Sequence, residues 1–67
     1  MNIILNNRPE EIDQENISIQ GLIRLKNFTF KLLVTKLNGK LVRKTDRDTV
    51  FIKEGDNVAI IHLISGG

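Results

Sequence analysis

The run VAIIHLI at positions 58–64 decides the architecture. It is apolar almost throughout, broken only by His62, and such a run predicts a strand buried between neighbours. The rest of the chain has to supply those neighbours. Residues 1–6 (MNIILN) predict a first strand, and residues 28–37 (FTFKLLVTKL), rich in β-branched and aromatic side chains, predict another. Asn38-Gly39 follows and precedes Leu41-Val42; this pair supplies the positive φ angles of a type I′ turn, so a hairpin is expected there. Asn7-Arg8-Pro9 reads as a turn, because proline fixes φ and asparagine tolerates the left-handed region. Residues 10–15, charged around Ile12, then read as a short edge strand exposed on one face. Residues 43–48 are polar and read as loop, 49–52 form a short apolar stretch of open type, and Lys53-Glu54-Gly55-Asp56 reads as a turn.

One segment has helical spacing. Ile19, Leu22, Ile23 and Lys26 recur at i, i+3, i+4 and i+7, giving a stripe of about two turns. Ser18 is placed to cap it, Ile17 and Leu22 stand at the spacing of a hydrophobic staple, and Asn27 is a left-handed stop. Gly21 stands inside this helix and lowers its intrinsic propensity, so packing has to hold it. The resulting order is β-β-α-β-β-β. A single helix then has to cover one face of a mixed sheet of about five strands. That is an α+β roll of the ubiquitin-like β-grasp type, with the last strand central and paired with the first. The expected organisation is one domain over residues 1–64 and a flexible Ser-Gly-Gly tail over 65–67.

Composition excludes several classes. The chain has 67 residues, of which 40% are hydrophobic, with 10 Lys plus Arg against 8 Asp plus Glu. That is one small domain, too apolar and too weakly charged to be disordered. No apolar run approaches the ~20 residues of a membrane helix. The start lacks the basic region and cleavage site of a signal peptide. With no cysteine there is no disulfide framework, and a reducing, cytoplasmic setting is expected.

The catalytic inventory is nearly empty. His62, the single histidine, lies in the apolar last strand and reads as a partly exposed strand residue rather than a general base. There is no cysteine nucleophile, no serine triad spacing and no phosphate loop among the five glycines. Asp46, Asp48 and Asp56 lack the spacing of a calcium loop and read as turn residues, so no metal is expected. Lys40, Arg43, Lys44 and Arg47 form the densest basic stretch. Asp46 and Asp48 dilute it and only three phenylalanines could stack on bases, so it reads as a solvated hairpin and loop. Nucleic acid is not an expected partner; steering of an acidic protein partner stays open.

The terminal Ser65-Gly66-Gly67 reads differently. A carboxylate is a poor electrophile until joined to a good leaving group, as in an acyl-adenylate. Residues without Cβ can thread a narrow channel to reach the activating site. Three extended residues reach ~10 Å, enough to enter a cleft while the folded body stays outside. A chain without cysteine also has no thiol of its own to attack such an adenylate.

These features together resemble the ThiS family, the sulfur carriers of thiamine biosynthesis. The residues that carry the likeness are the MNIILN start, the Ser18-capped helix, the hairpin Leu37-Asn38-Gly39-Lys40-Leu41-Val42, the Lys53-Glu54-Gly55-Asp56 turn, and the ending Leu63-Ile64-Ser65-Gly66-Gly67. The Gly-Asp turn about ten residues before a terminal Gly-Gly is the most specific of them. Gly21, Lys36 and His62 depart from the family's habit. The resemblance implies that Gly67 is adenylated by a ThiF-like enzyme, converted to a thiocarboxylate, and gives its sulfur to thiazole synthase. A cysteine desulfurase or persulfide protein would be the donor. ATP would be used by the activating partner, with no cofactor bound by the chain itself and no catalytic residue on it. Three alternatives share parts of this reading: the small subunit of molybdopterin synthase, a ubiquitin-like protein modifier, and a plain interaction module. If Val58 and Ile60 face the helix, Ala59, Ile61 and Leu63 face away and form a docking surface, unless residues 43–52 fold over them. The tail is expected to be mobile in the isolated protein.

Overall fold

A computed structural model describes residues 1–29 and 31–63. Strands β1 (Asn2–Leu5), β2 (Arg8–Glu11), β4 (Leu33–Leu37), β5 (Lys40–Val42) and β7 (Asn57–His62) form one sheet in the order β2-β1-β7-β4-β5. The last strand is central: it runs parallel to β1 and antiparallel to β4. A separate two-stranded ladder joins β3 (Ile17–Ser18) to β6 (Phe51–Ile52). Helix α1 (Ile19–Leu25) starts directly from β3. The architecture is the expected α+β, ubiquitin-like roll, with one helix across a mixed five-stranded sheet.

The core forms on the helix side of the sheet. Ile3 and Leu5 of β1, Val58 and Ile60 of β7, and Val42 of β5 meet Ile19, Leu22 and Ile23 of α1, with Ile12, Ile17 and Ile52 closing the ends. Helix α1 is short, so its ends matter. Ser18 Oγ accepts from the Gly21 amide at 2.9 Å. At the other end Asn27 takes φ 57, its amide donates to Arg24 O, and the Phe28 amide donates to Ile23 O. This is the Schellman pattern, which satisfies the orphan carbonyls of the last turn. Gly21 has a packing reason. A Cβ there would stand 2.8 Å from Ile17 Cγ1 and 3.2 Å from Ser18 Oγ, so the staple and the cap leave no room for a side chain.

Several boundaries differ from the sequence reading. The first turn is Asn6-Asn7, with φ of 52 and 67, not Asn7-Arg8-Pro9. Pro9 lies inside β2, where an edge strand tolerates a residue without an amide hydrogen. The edge strand ends at Glu11 rather than spanning 10–15, and Ile12 turns into the core. Of the strand expected over 28–37, β4 takes Leu33–Leu37, and Phe28 is spent with Asn27 on the helix stop; residue 30 lies outside the described residues. The apolar stretch at 49–52 supplies β6, whose two-residue pairing with β3 was not expected. The Asn38-Gly39 hairpin is as read, with φ of 51 and 83.

The segment 43–52 corrects the reading most. It contains a 3-10 turn over Lys44–Asp46, and it packs toward the helix rather than over the outer sheet face. The amides of Ile19 and Gln20 donate to Val50 O and Arg47 O. Arg47, expected in a solvated stretch, is only 8% exposed. Its Nε donates to Thr35 Oγ1 at 3.1 Å and its Nη2 to Leu33 O at 2.6 Å. The fully buried Thr35 hydroxyl donates in turn to Val42 O at 2.7 Å. A guanidinium with five donors can stitch this segment to β4 while its stem packs against apolar neighbours.

Candidate functional site

Among the described residues no helix lies over the outer face of the sheet. Register fixes which residues share it, because directly paired residues in a sheet point the same way. Lys36 pairs with Ala59 on one side and Leu41 on the other, and Val34 pairs with Ile61. Ile4 pairs with Asn57 and Pro9 on the same face. The result is an apolar stripe across β7, β4 and β5. Ala59 and Val34 are half-buried, while Ile61 is 46% and Leu41 65% exposed. Leu63 lies just past β7, tied by its amide to Leu32 O at 3.0 Å, and is 47% exposed. Ala59 and Ile61 therefore lie on the uncovered face and Leu63 continues their alternation. Sequence reasoning missed Val34, Lys36 and Leu41; the hairpin register could have found Leu41 opposite Lys36.

Two asparagines hold β7 from both sides. Asn6 Oδ1 accepts from the Ile60 amide at 2.8 Å and its Nδ2 donates to Ile60 O at 3.1 Å. Asn38 Oδ1 accepts from the Asn57 amide at 2.8 Å and its own amide donates to Asn57 O at 2.7 Å. Both asparagines sit at positive φ in two-residue turns, a conformation this side chain tolerates. The chain thus reaches Leu63 from a strand anchored at Asn57 and at Ile60. Ser65, Gly66 and Gly67, the expected carrier tail, lie outside the described residues, as does Ile64. His62 is exposed and sits opposite Leu33. Beside it, a groove of about 450 Å³ is bounded by Asn6, Phe28, Leu33 and Ile60. That groove gathers no nucleophile and no carboxylate. Among the described residues no group of three His, Cys, Asp or Glu could hold a metal, and no helix is long and apolar enough to cross a membrane.

The fold and the open sheet face define a small ubiquitin-like β-grasp domain. The chain belongs to the ThiS family, whose model matches residues 3–67. Membership places it among the sulfur carriers of thiamine biosynthesis, which work with the enzymes of that pathway. It is similar to a thiamine biosynthesis protein (ThiS) from Geobacter metallireducens in two solved structures. The crystal structure has 28% sequence identity and a TM-score of 0.85, covering 100% of both chains. The solution structure has 28% identity and a TM-score of 0.79, covering 100% of this chain and 88% of the other.

Proposed function

We propose that the Gly67 carboxylate is the working group of this protein. A ThiF-like enzyme joins it to AMP at the expense of ATP, releasing pyrophosphate. The outer sulfur of a persulfide, carried by a cysteine desulfurase or a persulfide protein, displaces AMP to form an acyl disulfide. A thiol then cleaves the S–S bond, forming a disulfide with the donor's cysteine and releasing the terminal thiocarboxylate. Thiazole synthase takes that sulfur, and the carboxylate is regenerated. The chain binds no cofactor of its own and contributes no catalytic residue; ATP belongs to the activating partner.

The observation that carries this reading is the family match, which runs through Gly66 and Gly67 to the last residue. The geometry gives it a physical basis. Strand β7 is held on both edges, so the body can dock rigidly while Gly66-Gly67, without Cβ atoms, enters a narrow cleft. Ala59, Ile61 and Leu63 are the docking surface in this reading, because the face they share is uncovered.

The test is an intact mass. Incubation with ATP, the cognate adenylating enzyme and a sulfur donor raises the mass by the difference between sulfur and oxygen. Deleting Gly67 abolishes the shift and leaves thermal stability unchanged, since glycine has no side chain to bury. Adding thiazole synthase then discharges the sulfur, while the large subunit of a molybdopterin synthase does not. A truncated chain that still acquires sulfur, on a lysine for example, would overturn the mechanism.

A further inference from the structure

The net charge of +2 hides a strong separation of sign. Residues 10–15 hold four of the 8 acidic residues and no basic one. Residues 31–44 hold five of the 10 basic residues and no acidic one. Glu10 and Glu11 lie on β2, beside Arg8, and Lys40 lies on β5 with Lys36 on the neighbouring β4; β2 and β5 are the opposite edges of the sheet. At ~4.8 Å per strand they stand roughly 19 Å apart, beyond a Debye length at physiological salt. Glu10 is turned to the helix side and paired with Lys26, so the transverse dipole of the open face runs from Glu11 near one edge to Lys36, between Ala59 and Leu41, toward the other. Lys36, Lys40 and Arg43 are exposed, and the ion pair among the described residues, Lys26–Glu10, involves none of them.

We infer that this basic edge orients the partner that docks on the open face, and that the partner presents an apolar patch rimmed by Asp and Glu on one side. The inference rests on the carrier reading and adds the chemistry of the partner. Burial of Ile61 and Leu41 is attractive but non-directional, so the stripe alone would accept a partner in either sense. A dipole across the same face breaks that ambiguity. Cations at β4–β5 meet the acidic rim and carboxylates at β2 stay clear of it, which fixes the side on which the chain leaves β7. Such complementarity acts on encounter rate and orientation more than on final affinity. Nucleic acid fits the face less well, because the cations flank exposed leucine and isoleucine rather than stacking aromatics.

The experiment measures association of the full chain with its cognate adenylating enzyme across ionic strength. It compares wild type with K36E/K40E/R43E, with the neutral K36Q/K40Q/R43Q, and with E11K/D13K/E15K at the opposite edge. Wild-type association slows about tenfold from low to physiological salt. At low salt the glutamate variant associates about tenfold more slowly and its rate rises with salt, the glutamine variant falls between and loses the salt dependence, and dissociation changes little. The opposite-edge variant stays close to wild type. Equal rates for the two charge reversals would overturn the inference. So would salt-dependent self-association of the chain alone, which points to a second copy, or binding of duplex DNA that the glutamine variant loses. Sulfur loading of wild type is followed by mass in the same samples. Loading with no effect of the reversals removes this inference and leaves the carrier reading, whereas no loading of wild type with active enzyme removes both.

Discussion

The side chain of Asn6 satisfies both backbone groups of Ile60, accepting its amide at 2.8 Å and donating to its carbonyl at 3.1 Å. Strand β1 ends at Leu5, yet one more rung of the ladder is made by an amide side chain that reproduces a peptide group. Asn6→Asp keeps the turn and the acceptor but sets a carboxylate oxygen against a carbonyl. The expected loss is about 1–3 kcal/mol in urea unfolding, while Asn7→Asp changes little. Equal stability of the two variants would show that the rung contributes nothing.

Arg47 offers a second measurement. Arg47→Met retains much of the stem and removes the donors to Thr35 Oγ1 and Leu33 O. About 2 kcal/mol of stability should be lost, because hydrogen bonds from a charged group are stronger than average and Thr35 is fully buried. Thermal unfolding reads this directly; a variant as stable as wild type would mean that packing of the stem, not the guanidinium, holds the segment.

Glycine to alanine inside a helix ordinarily stabilises by about 1 kcal/mol. At Gly21 the sign should reverse. The new methyl would lie 2.8 Å from Ile17 Cγ1, and crowding of this kind costs about 1–3 kcal/mol. Loss of α1 signal at lower denaturant than wild type is the expected outcome.

Ile61→Asp should leave the fold nearly intact, with under about 1 kcal/mol lost, since the side chain already faces solvent. Binding to the adenylating enzyme should weaken at least tenfold, measured by titration calorimetry. Unimpaired binding by a folded variant would move the docking surface off this face.

Gly66→Val tests the tail without shortening it. A branched Cβ stiffens and widens the chain, and a displacement of about an ångström at a reacting centre can cost on the order of a hundredfold in rate. Single-turnover adenylation should slow while unfolding is unchanged.

Much of this structure could be read from local chemistry. Ser18, Asn27 and Asn38-Gly39 act through their own backbone angles and neighbours, so their roles are written within a few residues. The central place of the last strand followed from its apolar run. The features that escaped reading depend on distant partners. Pro9 suggested a turn because nothing nearby says that its strand is an edge. Strands β3 and β6 are two residues each, too short for any periodicity. Arg47 resembled its solvated neighbours because Thr35 and Leu33 lie on another strand. The outer face was legible on β7 alone; Val34, Lys36 and Leu41 joined it only once the register between strands was known.

The central position of β7 also sets the order in which the molecule can assemble. Hairpins β1–β2 and β4–β5 close locally, but Leu5 meets Val58 only after more than fifty intervening residues have been made. Until β7 slides between them, Ile3, Leu5, Thr35 and Val42 have no shared interior, and each hairpin alone is marginal. Such long-range pairing slows folding and favours a single cooperative step. A chain emerging from the ribosome therefore has no stable half-built form, and a fragment stopping short of Val58 would be left to proteases.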